Sequence, residues 1–336
     1  MQFSKRVLIG LGVAMALVVS ACSSDGDKTV TVYSGRTEEL IQPILDDFTE
    51  ETGIAVVARF ADSADLALLL AEEGDRSPAD VFLSQSPGAV EFLDAEGLLS
   101  TLPNDILDLV PPTVQDSEGH WVGFSGRQRV LVYNPNLVDA ADLPASVLDL
   151  TDARWDGQVG LAPANGSFQD FVTAMRGQIG DEQTAQWLEG LVANNAQSYP
   201  GNSAIVAAVG RGEIAMGLVN HYYNYRAVEE DPNHAGLNHQ LAADDPGSVL
   251  IVTSAAKLAA SEHGEEADQL IKFLLSESAQ TFFANETYEY PLAAGVAPAP
   301  AIPPADFADV SGINFGELGS QLSATRDMII DAGLEG

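Results

Sequence analysis

Cysteine is all but missing: the 336-residue chain has one, Cys22. No intrachain disulfide can form, and no thiolate is available for catalysis in the folded body. Basic residues are scarce as well, with 15 Lys and Arg against 49 Asp and Glu and a formal charge of −34. Such a surface repels nucleic acid and keeps the chain soluble. There is no HExxH and no phosphate-binding Walker A loop, and in "GFSGR" Gly126 takes the variable position of a GxSxG elbow with no glycine after it. The five histidines (His120, His221, His234, His239, His263) never fall three or four residues apart. That excludes a helical zinc pair and leaves surface or capping roles, with a zinc site of scattered histidines as the alternative. Carboxylates are too numerous for any chosen pair to be informative. No internal repeat is visible, and no stretch after the N-terminus reaches the ~20 apolar residues of a membrane span.

What is present begins with "MQFSKRVLIGLGVAMALVVSACSS", a basic start (Lys5, Arg6), an apolar run and small residues before Cys22. This is the pattern of a cleaved export signal over residues 1–21. The "VSAC" ending resembles a bacterial lipobox, so Cys22 is expected to carry lipid and residues 22–28 to form a polar tether. Cleavage would remove two basic residues and no acid, leaving a formal charge of −36.

From Thr29 onward the pattern alternates. "TVTVYS" reads as a strand, and "RTEELIQPILDDFTEETG" as a helix with apolar residues at Leu40, Ile41, Ile44, Leu45 and Phe48, closed by Gly53. "IAVVARF", "ADVFLS", "GQVGLAP", "IAMGLVN" and "SVLIVTSAAKLA" read as further strands. "HWVGFSGRQRVLVYNP" reads as two strands joined by a Gly-rich turn. Helices are expected after Ser63 and Asn202 as caps, from Pro87, from Gly166, over "DEQTAQWLEGLVAN", as one long element over "EEADQLIKFLLSESAQTFFAN", and at the C-terminus. "APAPAIPP" reads as a semi-rigid connector. Strand–helix alternation of this kind specifies an α/β chain with mostly parallel sheets. Its length suits two lobes around a cleft lined by loops at the strands' carboxyl ends.

Into that cleft runs "NHYYNYR", with three of the chain's eight tyrosines. Neighbours in a strand point to opposite faces, so Tyr222 and Tyr223 can meet at one point only if the strand ends before them, which Asn220 favours. On residues alone they could be core, interface or ligand.

The stretches "VYSGRTEEL", "SPADVFLSQSPGA", "SGRQRVLVYNP", "APANGSFQDFV", "NSAIVAAVGRGEIAMGLVNHYYNYR" and "EYPLAAGV", in this order, resemble the bacterial ferric-ion-binding proteins, the solute receptors of iron ABC importers. The resemblance runs from about Val30 to the C-terminus. It implies a two-lobed, type II-like periplasmic-binding fold with crossovers near Arg127–Val130 and Ile251–Ser254. The lobes would be 29–128 with 253–303, and 129–252 with 304–336. It also implies an extracytoplasmic, non-enzymatic monomer, anchored by lipid on Cys22, that captures Fe(III) and delivers it to permease subunits. Tyr222 and Tyr223 would bind the ion as phenolates. Asn165, Gly166, Ser167, Asn202, Asn220 and Arg127 would hold a synergistic anion such as carbonate, phosphate or citrate.

The chain departs from its relatives in the first lobe. Some have histidine where Thr37 stands, followed here by Glu38, and some have glutamate where Gln85 stands; others place a third tyrosine at Ser167. Glu38 is therefore a candidate oxygen ligand, or a helix-start carboxylate complementing the macrodipole. Tyr33 and Tyr225 are packing or supporting residues. The same fold could serve a polyamine, a phosphonate or another oxyanion; an exported metal-dependent hydrolase and a structural lipoprotein are the readings from other classes.

Overall fold

A computed structural model describes residues 28–85, 87–293, 295–304 and 315–334. The expected signal peptide, Cys22 and the tether up to residue 27 lie outside the described residues. Strands and helices alternate from the start: β1 (Thr29–Ser34), α1 (Glu38–Thr52), β2 (Ala55–Phe60), α2 (Ser63–Glu73), β3 (Val81–Ser84) and α3 (Pro87–Ala95). β4 (Leu99–Ser100) and α4 (Asn104–Leu107) lead into the long β5 (Trp121–Tyr133). Next come β6 (Val159–Leu161), α5 (Gly166–Ile179), α6 (Asp181–Ala193), β7 (Gln197–Ser198), α7 (Asn202–Gly210) and β8 (Met216–Asn220). They are followed by α8 (Tyr222–Glu230) and β9 (Leu237–His239). β10 (Leu250–Leu258), α9 (Gly264–Leu274), α10 (Glu277–Asn285), β11 (Tyr290–Pro291) and α11 (Phe315–Asp331) complete the order.

The strands join in the order β2-β1-β3-β10-β5-β8-β6-β7, with β4 on β10 and β9 and β11 on β5. β1 runs parallel to β2 and β3, and β6 parallel to β7 and β8. β5 serves both parallel sets. It is antiparallel to β10 from Trp121 to Gln128, then to β8 from Arg129 to Tyr133. Each half has its own apolar core, one built on Phe48, Phe82, Trp121 and Phe283, the other on Leu131, Phe168, Phe171 and Trp187. Each such side chain contributes roughly 1.5–3 kcal/mol by leaving water. α11 lies against α5, with Thr325 Oγ1 2.7 Å from Thr173 Oγ1, and also contacts α3. Among the described residues no helix is long and apolar enough to cross a membrane.

The α/β reading holds, and α1 buries the five apolar residues that its spacing singles out, ending at Gly53 with φ 74°. Four expectations change. The two strands with a Gly-rich turn are the single strand β5. Its glycines serve close packing: a Cβ on Gly123 would lie 2.9 Å from the Val114 carbonyl oxygen, and one on Gly126 3.1 Å from Leu292. The long helix after residue 264 is two, because Ser276 stops α9 and caps α10, its Oγ accepting from Ala279 N at 3.3 Å. Ser63 and Asn202 are first helical residues, flanked by Asp62 and Gly201; each turns its side chain to a partner outside its own helix. The short strands β4, β7, β9 and β11 carry no sequence pattern of their own.

Candidate functional site

A cleft of about 280 Å³ opens between the halves, at the carboxyl ends of β1, β3, β6 and β8. Gly35, Ser63 and Gln85 line one wall, Asn165–Ser167 and Asn220 the other, and Arg127 and Tyr223 also face it. Open α/β sheets bind ligands at this end because strand termini and helix starts leave backbone donors free.

β8 stops at Asn220, and Tyr222 and Tyr223 form the first turn of α8. In a helix, adjacent side chains are about 100° apart rather than the 180° of a strand, so the two rings can face the same side. They stack at 4.1 Å between centroids with 28° between planes. Tyr223 lines the cleft, while Tyr222 is 1% exposed behind it. Burial, then the neighbouring Tyr223, holds the Tyr222 phenol well above its ordinary range, with Arg127 acting in the opposite direction.

The small polar residues converge on a group that the sequence reading passed over. Arg129 is buried, and its Nη1 donates to Asn220 Oδ1 at 3.1 Å, Asn202 Oδ1 at 3.3 Å and Ser167 Oγ at 3.4 Å. Asn202 Nδ2 in turn donates to Asn165 Oδ1 at 3.3 Å, and Asn165 caps α5 by accepting from Ser167 N at 3.2 Å. Burial pushes the Arg129 guanidinium down to about 9, which leaves it charged at neutral pH. Its Nε is buried with no hydrogen-bond acceptor among the described residues. The signal for it was in "RQR": on a strand, residues 127 and 129 share a face.

Arg127 is buried, donating from Nη2 to the Gln85 carbonyl, with its Nε 3.9 Å from Glu289 Oε1. Behind it lies a second unforeseen pair. Arg36, in the loop after β1, donates to both Glu289 oxygens at 2.9 and 2.8 Å, and both side chains are 1% exposed. Burial disfavours the Glu289 carboxylate, but Arg36 and then Arg127 outweigh it and hold the pKa below its ordinary value. Tyr288, just before Glu289, has φ 57°, an uncommon conformation for a non-glycine residue. Three buried guanidinium groups thus face two buried carboxylates, Glu289 and Asp170, so the buried groups beside the phenols carry a positive excess.

Other candidates lie elsewhere. Glu38 is exposed on the first turn of α1 and is not among the cleft-lining residues, nor is Thr37. The first-half carboxylates that do line the cleft are Asp62 and Asp65. Tyr33 donates to Glu73 at 3.2 Å, and Tyr225 stacks on Tyr288 at 5.8 Å, both as packing groups. His221 takes the N-cap position of α8 without a side-chain cap bond, and it is buried rather than at the surface. Its Nδ1 accepts from Gln128 N at 3.1 Å, and burial pushes its pKa down to about 4.

His221 and Glu289 make stability depend on pH in the same direction. An unfolded histidine titrates near ~6.5, so between that value and about 4 the unfolded chain binds a proton that the folded chain does not. Stability therefore falls as pH drops through this window, by up to ~1.4 kcal/mol per pH unit from this group. Glu289 adds its loss only below the ~4.3 of an unfolded glutamate, as pH approaches its lower folded value. Urea unfolding from pH 7 to 4.5 should show the decline, and His221→Gln should flatten it.

Comparison with known proteins agrees with this architecture. The family model of the bacterial extracellular solute-binding proteins matches residues 76–311. The Fe(3+)-binding periplasmic protein of Serratia marcescens is 31% identical, covering 96% of both chains. The major ferric iron-binding protein of Neisseria meningitidis (serogroup A) is 36% identical over 78% of this chain and 80% of its own. The iron-bound structure of HitA from Pseudomonas aeruginosa superposes with a TM-score of 0.86 at 36% identity, covering 91% of this chain and all of that one. The chain belongs to the bacterial extracellular solute-binding proteins and, within them, to the ferric-ion-binding protein family.

Proposed function

We propose that this protein is an extracytoplasmic receptor that binds Fe(III) in the cleft and hands it to an ABC permease. The observation that carries the reading is the stacked pair Tyr222–Tyr223 set beside buried guanidinium groups. Ferric ion is hard and prefers anionic oxygen, which two phenolates supply. The arginines offset the phenolate charge, and the cation completes the ionisation by releasing protons. The names of the relatives support the same cargo.

Two phenolates leave most of a six-coordinate ion unfilled. We assign further positions to an anion (carbonate, phosphate or citrate) seated at the start of α5 on Asn165, Gly166 and Ser167. Asn202, Asn220 and Arg127 complete its seat, with Arg129 behind them. Backbone donors and the helix dipole favour negative charge there. A related solved structure, at 25% identity, holds iron with citrate. In this reading the lobes divide at 29–128 with 253–303 and 129–252 with 304–336. The receptor works as a monomer without catalysis, and lipid on Cys22 anchors it after residues 1–21 are removed.

Titrating metal-free protein with chelated Fe(III) tests the proposal. One equivalent should bind with a visible phenolate-to-iron band, and each anion should shift that band. Depleting all three anions should weaken binding, and Ser167→Asp should reduce the dependence by supplying the charge itself. A colourless iron complex would remove the phenolates from the site, and affinity indifferent to every anion would remove the anion.

A further inference from the structure

Away from the cleft, a second group of metal-ligating side chains comes together where α3 meets the turn before β5. Asp94 sits near the end of α3, and Asp116 and His120 lie in the turn. One ligand atom from each lies within 4.8 Å of the others. His120 Nδ1 is 2.5 Å from Asp94 Oδ1 and 3.8 Å from Asp116 Oδ2. We propose that Asp94, Asp116 and His120 form a site for a divalent transition-metal ion, with Zn2+ as its representative, separate from the tyrosine cleft.

Donor chemistry and local charge carry the argument. Ligands at the ~2.0–2.2 Å of zinc–nitrogen and zinc–oxygen bonds are about 3–4 Å apart around a common centre; the 3.8 Å between His120 and Asp116 has that spacing, and the closer His120–Asp94 contact has to open by about 1 Å to admit an ion. One imidazole nitrogen with two carboxylate oxygens suits Zn2+, whereas calcium favours all-oxygen shells and soft ions favour sulfur. A third carboxylate lies within electrostatic reach of them: Glu91, 6% exposed, accepts from Trp121 Nε1 at 2.7 Å. Elsewhere in this half, acids are paired with lysines, as in Asp105–Lys272, Asp268–Lys257 and Glu266–Lys28. Among the described residues no lysine or arginine forms an ion pair with Asp94, Asp116 or Glu91, and an imidazole is the sole basic partner of the two aspartates. The ligating form of that imidazole is the neutral one. None of the three ligands lines the cleft, although Ala89 of the same helix does.

The full chain carrying Tyr222→Phe and Tyr223→Phe silences the tyrosine pair and isolates this site. Zn2+ is titrated by calorimetry and by Trp121-sensitive fluorescence, and Co2+ by visible absorption. One equivalent of Zn2+ should bind and raise the unfolding temperature. His120→Gln and Asp94→Asn, added singly, should each weaken binding by more than the roughly tenfold loss typical of a supporting group. Asp94→Asn preserves shape, and an unchanged circular dichroism spectrum and metal-free unfolding midpoint show that the fold persists. Absence of Zn2+ binding at millimolar concentration, or binding unaltered in both variants, overturns the proposal.

Discussion

Tyr223→Phe is expected to remove most of the visible iron band and to lower Fe(III) affinity by more than the roughly 10–100-fold that loss of an outer-shell partner costs. The residue faces the cleft, and the change deletes the ligand oxygen while keeping the ring that stacks on Tyr222. Tyr222→Phe should weaken binding to a similar degree, although that ring is 1% exposed, because its phenol lies beside the first and is linked to it electrostatically. Both variants should unfold at nearly the wild-type midpoint, since the apolar volume is unchanged. Spectral titration with thermal unfolding separates the outcomes. Wild-type affinity in either variant shows that the residue is not a ligand, and a lowered midpoint shows a packing role.

Arg36→Met should destabilise the protein by roughly 3–5 kcal/mol, the cost of leaving a buried carboxylate without its partner. Arg36 makes both of its short ion-pair hydrogen bonds to Glu289, and the remaining cation near that carboxylate, Arg127, is 3.9 Å away. Adding Glu289→Leu should restore most of the loss, because a buried pair replaced by apolar groups is often neutral. Iron binding should not recover in the double variant. Arg36 interacts electrostatically with Tyr222 and Tyr223, so the double variant lacks one counter-charge for iron-bound phenolates. Equilibrium denaturation of the single and double variants measures the first effect, and iron titration the second. Recovery of stability and iron affinity together would show that the pair only holds the fold.

Sequence by itself determined the local elements and the residue types of the candidate site. Alternation and helical spacing marked β1 and α1 because burial there repeats every 2 and every 3.6 residues along the chain. The "NHYY" pair, the "NGS" helix start and Asn202 were legible as short motifs, and the structure gathers Tyr223, Asn165, Gly166, Ser167 and Asn220 around one cleft. Tertiary structure alone decided what surrounds them. Arg36 and Glu289 are 253 residues apart in sequence, and no periodicity connects them; only the docking of the β1 loop against the segment before β11 makes each the other's counter-charge. Arg129 stood two residues from Arg127 on one strand face, but its link to Asn220 spans 91 residues. Glu38 shows the same dependence from the opposite direction: its chemistry and position suited a ligand, and the fold leaves it exposed on the first turn of α1, outside the cleft lining. Local pattern reports which face a residue presents to its own element, while the charge that a buried group meets is set by chain segments that only folding brings together.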